Sequence, residues 1–224
     1  MTADNRYFYE PSKGHGLAHD PLNAIVGPRP IGWISSRNAE GQRNLAPYSF
    51  FNCFNYKPPI IGFASTGWKD SVANIVETGE FVWNLTTRGL AEKMNQTSAM
   101  LPRGQDEFSF AGLTAKAGTI VKADLVAESP VNFECKLSQC IQLTAANGDK
   151  IDTWLVLGEV VAVHIAKHLL NAGGFIKLHL PSPYYVPAAH RPIMGSPKIC
   201  VSIYIDHKCS GCSGAAGCGC SNFV

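Results

Sequence analysis

Asn147-Gly148 constrains this chain more than any other pair of residues. Asn-Gly supplies the left-handed backbone of a tight hairpin turn at little steric cost. Before it, residues 131–143 alternate loosely between apolar and polar side chains. After it, residues 154–165 form a long run rich in β-branched residues. Two long strands around one tight turn predict part of an antiparallel barrel or sandwich. The rest of the chain fits that class: strands dominate, two or three helices lie between them, and no internal repeat is present.

The first half holds a second strand pair. Residues 31–36 are a short apolar run, 38–41 a turn cluster, and 45–51 a second apolar run interrupted by Pro47. Proline cannot donate to a ladder, so Pro47 is expected where pairing stops or bulges. The second run also carries Asn44, Tyr48, Ser49 and Asn52. Unpaired burial of so many polar groups is costly. They fit either an edge strand with wet polar groups or a broken edge offering hydrogen bonds to a flat polar ligand. Next, Lys57-Pro58-Pro59 is a stiff connector, and Ile60 to Ala64 reads as a strand buried on both faces. A helix follows to about Thr78, capped by Asp70 or Ser71 and stopped by Gly79, with Val72, Ile75 and Val76 as its apolar stripe. Phe81 to Leu85 is another strand, residues 89–99 a second helix, Leu101 to Glu107 a loop, and β structure is expected from about Gly118.

Composition excludes several functions. With 224 residues, 46% hydrophobic and 16% charged, the chain can bury a sizeable core. A net charge of +2 gives no electrostatic case for nucleic acid or a membrane surface. No apolar run approaches a membrane span, and the N-terminus lacks the pattern of a signal peptide, so the cytoplasm is expected. There the scattered Cys53, Cys135 and Cys140 read as buried, reduced thiols.

Three constellations could carry chemistry. Ser65 to Ser71 ends a buried strand in hydroxyl residues, Gly67 and Lys69, then enters a helix. A helix N-terminus suits an anion, although spacing alone is met as simply by an ordinary capped helix. Arg29, held between two prolines near Ser35, Ser36 and Arg37, could clamp a phosphate or carboxylate; a surface arginine is the simpler reading. Cys209, Cys212, Cys218 and Cys220 could bind zinc or copper(I), but their spacing does not match a zinc ribbon, and no metal site is expected. His15 and His19 lie four apart among glycines and a proline that oppose a helix, so they read as solvated or locally hydrogen-bonded. Gly-x-Gly-x-x-Gly, His-Glu-x-x-His and Gly-x-Ser-x-Gly are absent, which disfavours a Rossmann dehydrogenase, a zincin and an α/β-hydrolase.

Taken in order, residues 23–36, the run Asn44-Leu45-Ala46-Pro47-Tyr48-Ser49-Phe50-Phe51-Asn52, Lys69-Asp70-Ser71, and residues 79–84 resemble the flavin reductase-like, FMN-binding split-barrel family, to which the flavoredoxin group belongs. The resemblance covers roughly residues 7–168. It implies a mainly β, antiparallel split barrel with helices, a homodimer, and non-covalent FMN near the dimer interface. It further implies electron transfer from NADH or NADPH through flavin to a flavin or other acceptor. By matched motif, Ser35 and Ser36 would lie near the ribityl-phosphate. Asn44, Ala46, Pro47, Tyr48 and Ser49 would line the isoalloxazine, largely through backbone groups. Lys69, Asp70 and Ser71 would sit at the phosphate end, and Arg29 is a further candidate for phosphate or nicotinamide. No side chain is singled out as catalytic, because flavin carries the hydride chemistry.

The chain then divides into an irregular lead-in (1–22), a flavin reductase-like FMN-binding domain (23–170) and an atypical, poorly ordered Pro/Cys-rich tail (171–224). An FMN-binding electron carrier without turnover is the first rival reading. A metal or thiol protein acting through the tail is the second.

Overall fold

The computed structural model describes residues 5–102, 104–170 and the backbone of 187–188. In chain order it contains α1 (Leu22–Ile25), β1 (Arg29–Pro30), β2 (Gly32–Arg37), β3 (Arg43–Tyr48), β4 (Phe51–Tyr56), β5 (Pro59–Thr66) and α2 (Asp70–Thr78). There follow β6 (Glu80–Asn84), α3 (Ala91–Gln96), α4 (Glu107–Phe110), β7 (Ala115–Lys116), β8 (Leu125–Val126), β9 (Val131–Thr144), β10 (Lys150–Ile165) and β11 (Pro187–Ala188).

The expected hairpin is the centre of the fold. β9 and β10 pair antiparallel around the turn at 145–149, where Gly148 takes φ 90°. β9 pairs onward with β6 and β10 with β5, giving a seven-stranded sheet in the order β3-β2-β6-β9-β10-β5-β4. The sheet wraps around one core. Ile34, Tyr48, Phe63, Phe81, Val156 and Val160 meet there from five of the strands, together with Val72 and Ile75 of α2.

The two ends of the sheet, β3 and β4, have no ladder between them. Side chains close that seam instead. The Tyr48 ring of β3 lies 4.3 Å from Phe63 of β5, and α2 packs against β2 and β3. The result is a split barrel.

A second core covers the outside of β2 and β3. Ile31, Trp33 and Leu45 pack there with Met94 of α3 and Phe108 of α4. This strand pair is therefore buried on both faces, which explains its dense apolar content. Pro47 does not break the pairing as expected from the sequence. It sits in register opposite Trp33, because β3 is an edge strand and the missing N–H need not face a neighbour. Asn44 and Tyr48 are buried rather than wet.

Other expectations need correction. The cap of α2 is Lys69, not Asp70 or Ser71, and no side chain caps it. In the apolar stripe of α2, Val72 and Ile75 are buried while Val76 faces outward. Residues 117–124 form an irregular strap rather than a strand. Side-chain carboxylates hold it. Glu134 accepts from the N–H groups of Thr119, Ile120 and Val121, and Glu80 from that of Lys122. Asp124, buried at the end of the strap, accepts from Arg37 at 2.6 Å and from Arg43 at 2.8 Å. The three scattered cysteines are free thiols, but Cys53 is exposed. His15 is locally bonded, accepting from the Leu17 N–H. The tail expected to be poorly ordered lies outside the described residues, except that β11 pairs with β1.

Gly62 shows how tightly β5 meets its neighbours. A Cβ there would lie 2.5 Å from Leu157 and 2.8 Å from the Val156 carbonyl oxygen. Gly62→Ala is expected to lower stability by about 1–3 kcal/mol, as overpacking does. Urea unfolding should show a lower midpoint at an unchanged slope.

Candidate functional site

The site grows from the junction of β5 and α2. After Thr66 the chain turns at Gly67, φ 89°, where a larger residue would be strained. The Gly67 N–H donates to the Asp152 carbonyl at 2.8 Å, and Ser65 Oγ donates to the Gly67 carbonyl at 2.9 Å. This pins the turn to β10 and aims the start of α2 outward. The N–H groups of Asp70, Ser71 and Val72 have no acceptor among the described residues, and Lys69 has no ion-pair partner among them. Uncompensated N–H groups, the positive end of a helix and an ammonium group together suit an anion.

Beneath that terminus lies a buried polar seam. Asn44 Nδ2 donates to Ser71 Oγ at 2.7 Å, and Asn74 Nδ2 to Ser36 Oγ at 3.3 Å. These bonds lock α2 onto β2 and β3 and so fix the direction of its first turn. The Tyr48 hydroxyl is buried without a hydrogen-bond partner among the described residues. Burial pushes its phenol up, partly offset by the nearby Ser71 and Ser65 hydroxyls.

Strand alternation separates two serines that the motif sets side by side. Ser36 faces α2. Ser35 faces the strap, where Oγ donates to the Asp124 carbonyl and accepts from Asn84 Nδ2. The structure thus brings Ser36, Asn44, Tyr48, Lys69, Asp70 and Ser71 together and leaves Ser35 behind the sheet. Ala46 lies opposite Ile34 and packs on the core, with Pro47 next to it on the edge. At the far end of β3, the Ser49 carbonyl accepts from Arg29 Nε at 3.1 Å. Arg29 is buried, not a surface residue. Its Nη1 donates to the Asn23 carbonyl at 3.0 Å, its Nη2 has no partner among the described residues, and the Phe50 ring lies 5.6 Å away.

Two residues at this place escape sequence reasoning. Glu107 accepts from the outward N–H of Leu45 at 3.0 Å and lines a small polar pocket with Asn44, Asp70 and Asn74. Burial, with Asp106 and Asp70 close by, pushes its carboxyl up. Nothing local in the sequence marks it. Asn74 had a signal: it lies three residues after Ser71, on the same helix face.

The seam helix of this split barrel thus presents an open N-terminus beside an edge strand, a place that suits an anion. The family model for the flavin reductase like domain matches residues 27–185. The chain belongs to the flavin reductase-like family, whose members are flavoproteins of the oxidoreductase class. It is 35% identical over 152 residues to an uncharacterized protein of Aquifex aeolicus (strain VF5), covering 66% of this chain and 74% of that one. The crystal structure of nitrilotriacetate monooxygenase component B from Bacillus cereus superposes with a TM-score of 0.72 at 29% identity, over 83% of this chain and 92% of that chain. A protein of Shewanella frigidimarina NCIMB 400 with the split barrel domain of flavin reductases gives a TM-score of 0.65 at 28% identity, over 74% and 80% of the two chains. Among the described residues, no helix is long and apolar enough to cross a membrane.

Proposed function

We propose that this protein is an FMN-dependent oxidoreductase that takes electrons from NADH or NADPH and passes them to a flavin or another acceptor. The observation that carries this reading is the open start of α2, where three N–H groups have no acceptor and Lys69 no ion-pair partner among the described residues. That donor set fits a phosphate. Bound FMN would supply the hydride and electron chemistry.

The chain's own residues bind and orient. Lys69 and the N–H groups of Asp70 and Ser71 hold the phosphate. Asn44 and Ser36 act from beneath, keeping Ser71 and Asn74 in place. Ser35 supports β2 from the other side through the strap. The outer edge of β3 would offer the Pro47 carbonyl, and the chain just beyond it the Ser49 backbone, to the isoalloxazine, with Ala46 and Tyr48 holding that edge to β2 and the core. Arg29 fixes the end of that edge and would supply positive charge on that side of a bound ring. A homodimer is part of this proposal. β4 ends the sheet and exposes Phe54 and Tyr56, and a second copy would cover them.

The test is an absorption spectrum after FMN addition and desalting, followed by mixing with NADH or NADPH under anaerobic stopped flow. Retained bands near ~375 and ~450 nm that bleach with either nucleotide are expected for a bound flavin that accepts hydride. A colourless protein overturns the reading. Retained flavin that neither nucleotide bleaches would make the protein an electron carrier instead.

A further inference from the structure

We propose that residues 5–26 form an arm that lies on a second copy of this chain. The inference rests on the homodimer proposed at β4 and names a further segment that makes the contact.

The arm precedes the matched family domain, which starts at residue 27. Its course is irregular but bonded. The Tyr7 hydroxyl donates to the His15 carbonyl at 3.0 Å, the Leu17 N–H to His15 Nδ1 at 3.0 Å, and the Leu22 N–H to Asp20 Oδ1 at 2.9 Å. The Tyr9 ring lies 6.4 Å from that of Tyr7 and 6.2 Å from that of His15. Yet no residue of the arm is buried. Phe8 is 82% exposed and Ile25 72%, and Tyr7, Leu17, Leu22 and Val26 face outward with them. A single exposed apolar residue is ordinary. Six on one short segment mark a contact surface.

The root of the arm points to what covers it. Arg29 donates from Nη1 to the Asn23 carbonyl and from Nε to the Ser49 carbonyl, so the arm leaves the barrel at the end of β3. β1, which carries Arg29, packs against β4. Phe50, Phe54 and Tyr56 are exposed there. Leu22, Ile25 and Val26 lead directly into β1, so the arm begins beside the face that a second copy is proposed to cover. Size agrees with the same occupant. A stable protein–protein contact takes roughly 20–30 residues a side. The six residues of β4 fall short of that alone, and together with residues 5–26 they reach it. In a two-fold contact the same patch serves both copies. Each arm then lies over the other copy's β4, and both sets of aromatic side chains are covered at once.

The test keeps the full chain and replaces Phe8 with photoreactive p-benzoylphenylalanine. Irradiation of the dimer is expected to give a covalent species of twice the chain mass. Ile25→Lys changes a side chain that is exposed in the single copy. It is expected to raise the dimer dissociation constant about tenfold in sedimentation velocity, as for loss of a residue inside a contact, with the circular dichroism of the wild type retained. A wild-type dimer whose adducts at position 8 all fall within one chain puts the arm on its own barrel or on residues 189–224 and overturns the proposal. An unchanged dissociation constant in Ile25→Lys overturns it as well. A wild-type chain that stays monomeric at every concentration overturns the homodimer reading itself.

Discussion

Glu134→Ala is expected to cost about 3–5 kcal/mol of folding stability, the range for breaking a buried charged network by removing one partner. Glu134 is fully buried, at 0% exposure. Its two oxygens accept from three successive backbone N–H groups of the strap, and one of them also meets His164 of β10. Without the carboxylate those N–H groups lose their acceptor, and the buried one, that of Val121, costs about 1–3 kcal/mol when left unpaired. Thermal unfolding of the two proteins at neutral pH measures the effect. The carboxylate also gives the stability a pH signature. Burial alone would raise its pKa, but His164 and the three backbone donors outweigh this and lower it from 4.5 to about 2. A depressed acid stabilises the fold above its unfolded value, and that contribution is lost as pH falls through the folded value. Wild-type stability should therefore decline between pH 4.5 and about 2, and Glu134→Gln should lack that part of the slope.

Lys69→Met is expected to weaken FMN binding roughly 10- to 100-fold, since a hydrogen bond to a charged group contributes about 1.5–3 kcal/mol. The side chain stands at the first position of the α2 terminus without an ion pair among the described residues, so its loss strands no protein partner and should leave folding intact. Riboflavin is the control. It carries the same ring and no phosphate, so its affinity should not change. Equal losses for both ligands would place the phosphate elsewhere and move the site away from α2.

The barrel was legible because its strongest signals are local. Asn147-Gly148 and its two flanking runs announce the β9–β10 hairpin with no help from distant residues. The start of α2 was legible for the same reason, a strand end, Gly67 and Lys69 in succession. What failed depends on partners far along the chain. Pro47 keeps its register because β3 is an edge, and strand order is not written near residue 47. Ser35 and Ser36 look alike in the motif, but a strand sends neighbours to opposite faces, and only the distant Asp124 and Asn74 say which face is which. The strap at 117–124 has no periodicity of its own; Glu134, more than ten residues later, supplies the acceptor that strands would otherwise provide.

The seam between β3 and β4 makes the barrel a clasp rather than a closed ring. Backbone ladders hold every other joint; here the Tyr48–Phe63 contact and the Asn44–Ser71 bond hold the edges together. Such a joint opens at lower free energy than the sheet around it, and amides of β3 should exchange with solvent sooner than those of β9. The residues proposed to grip the cofactor are the same ones that fasten the clasp. A cofactor bound there as proposed would favour the closed seam over an opened one, by binding the folded edge more tightly.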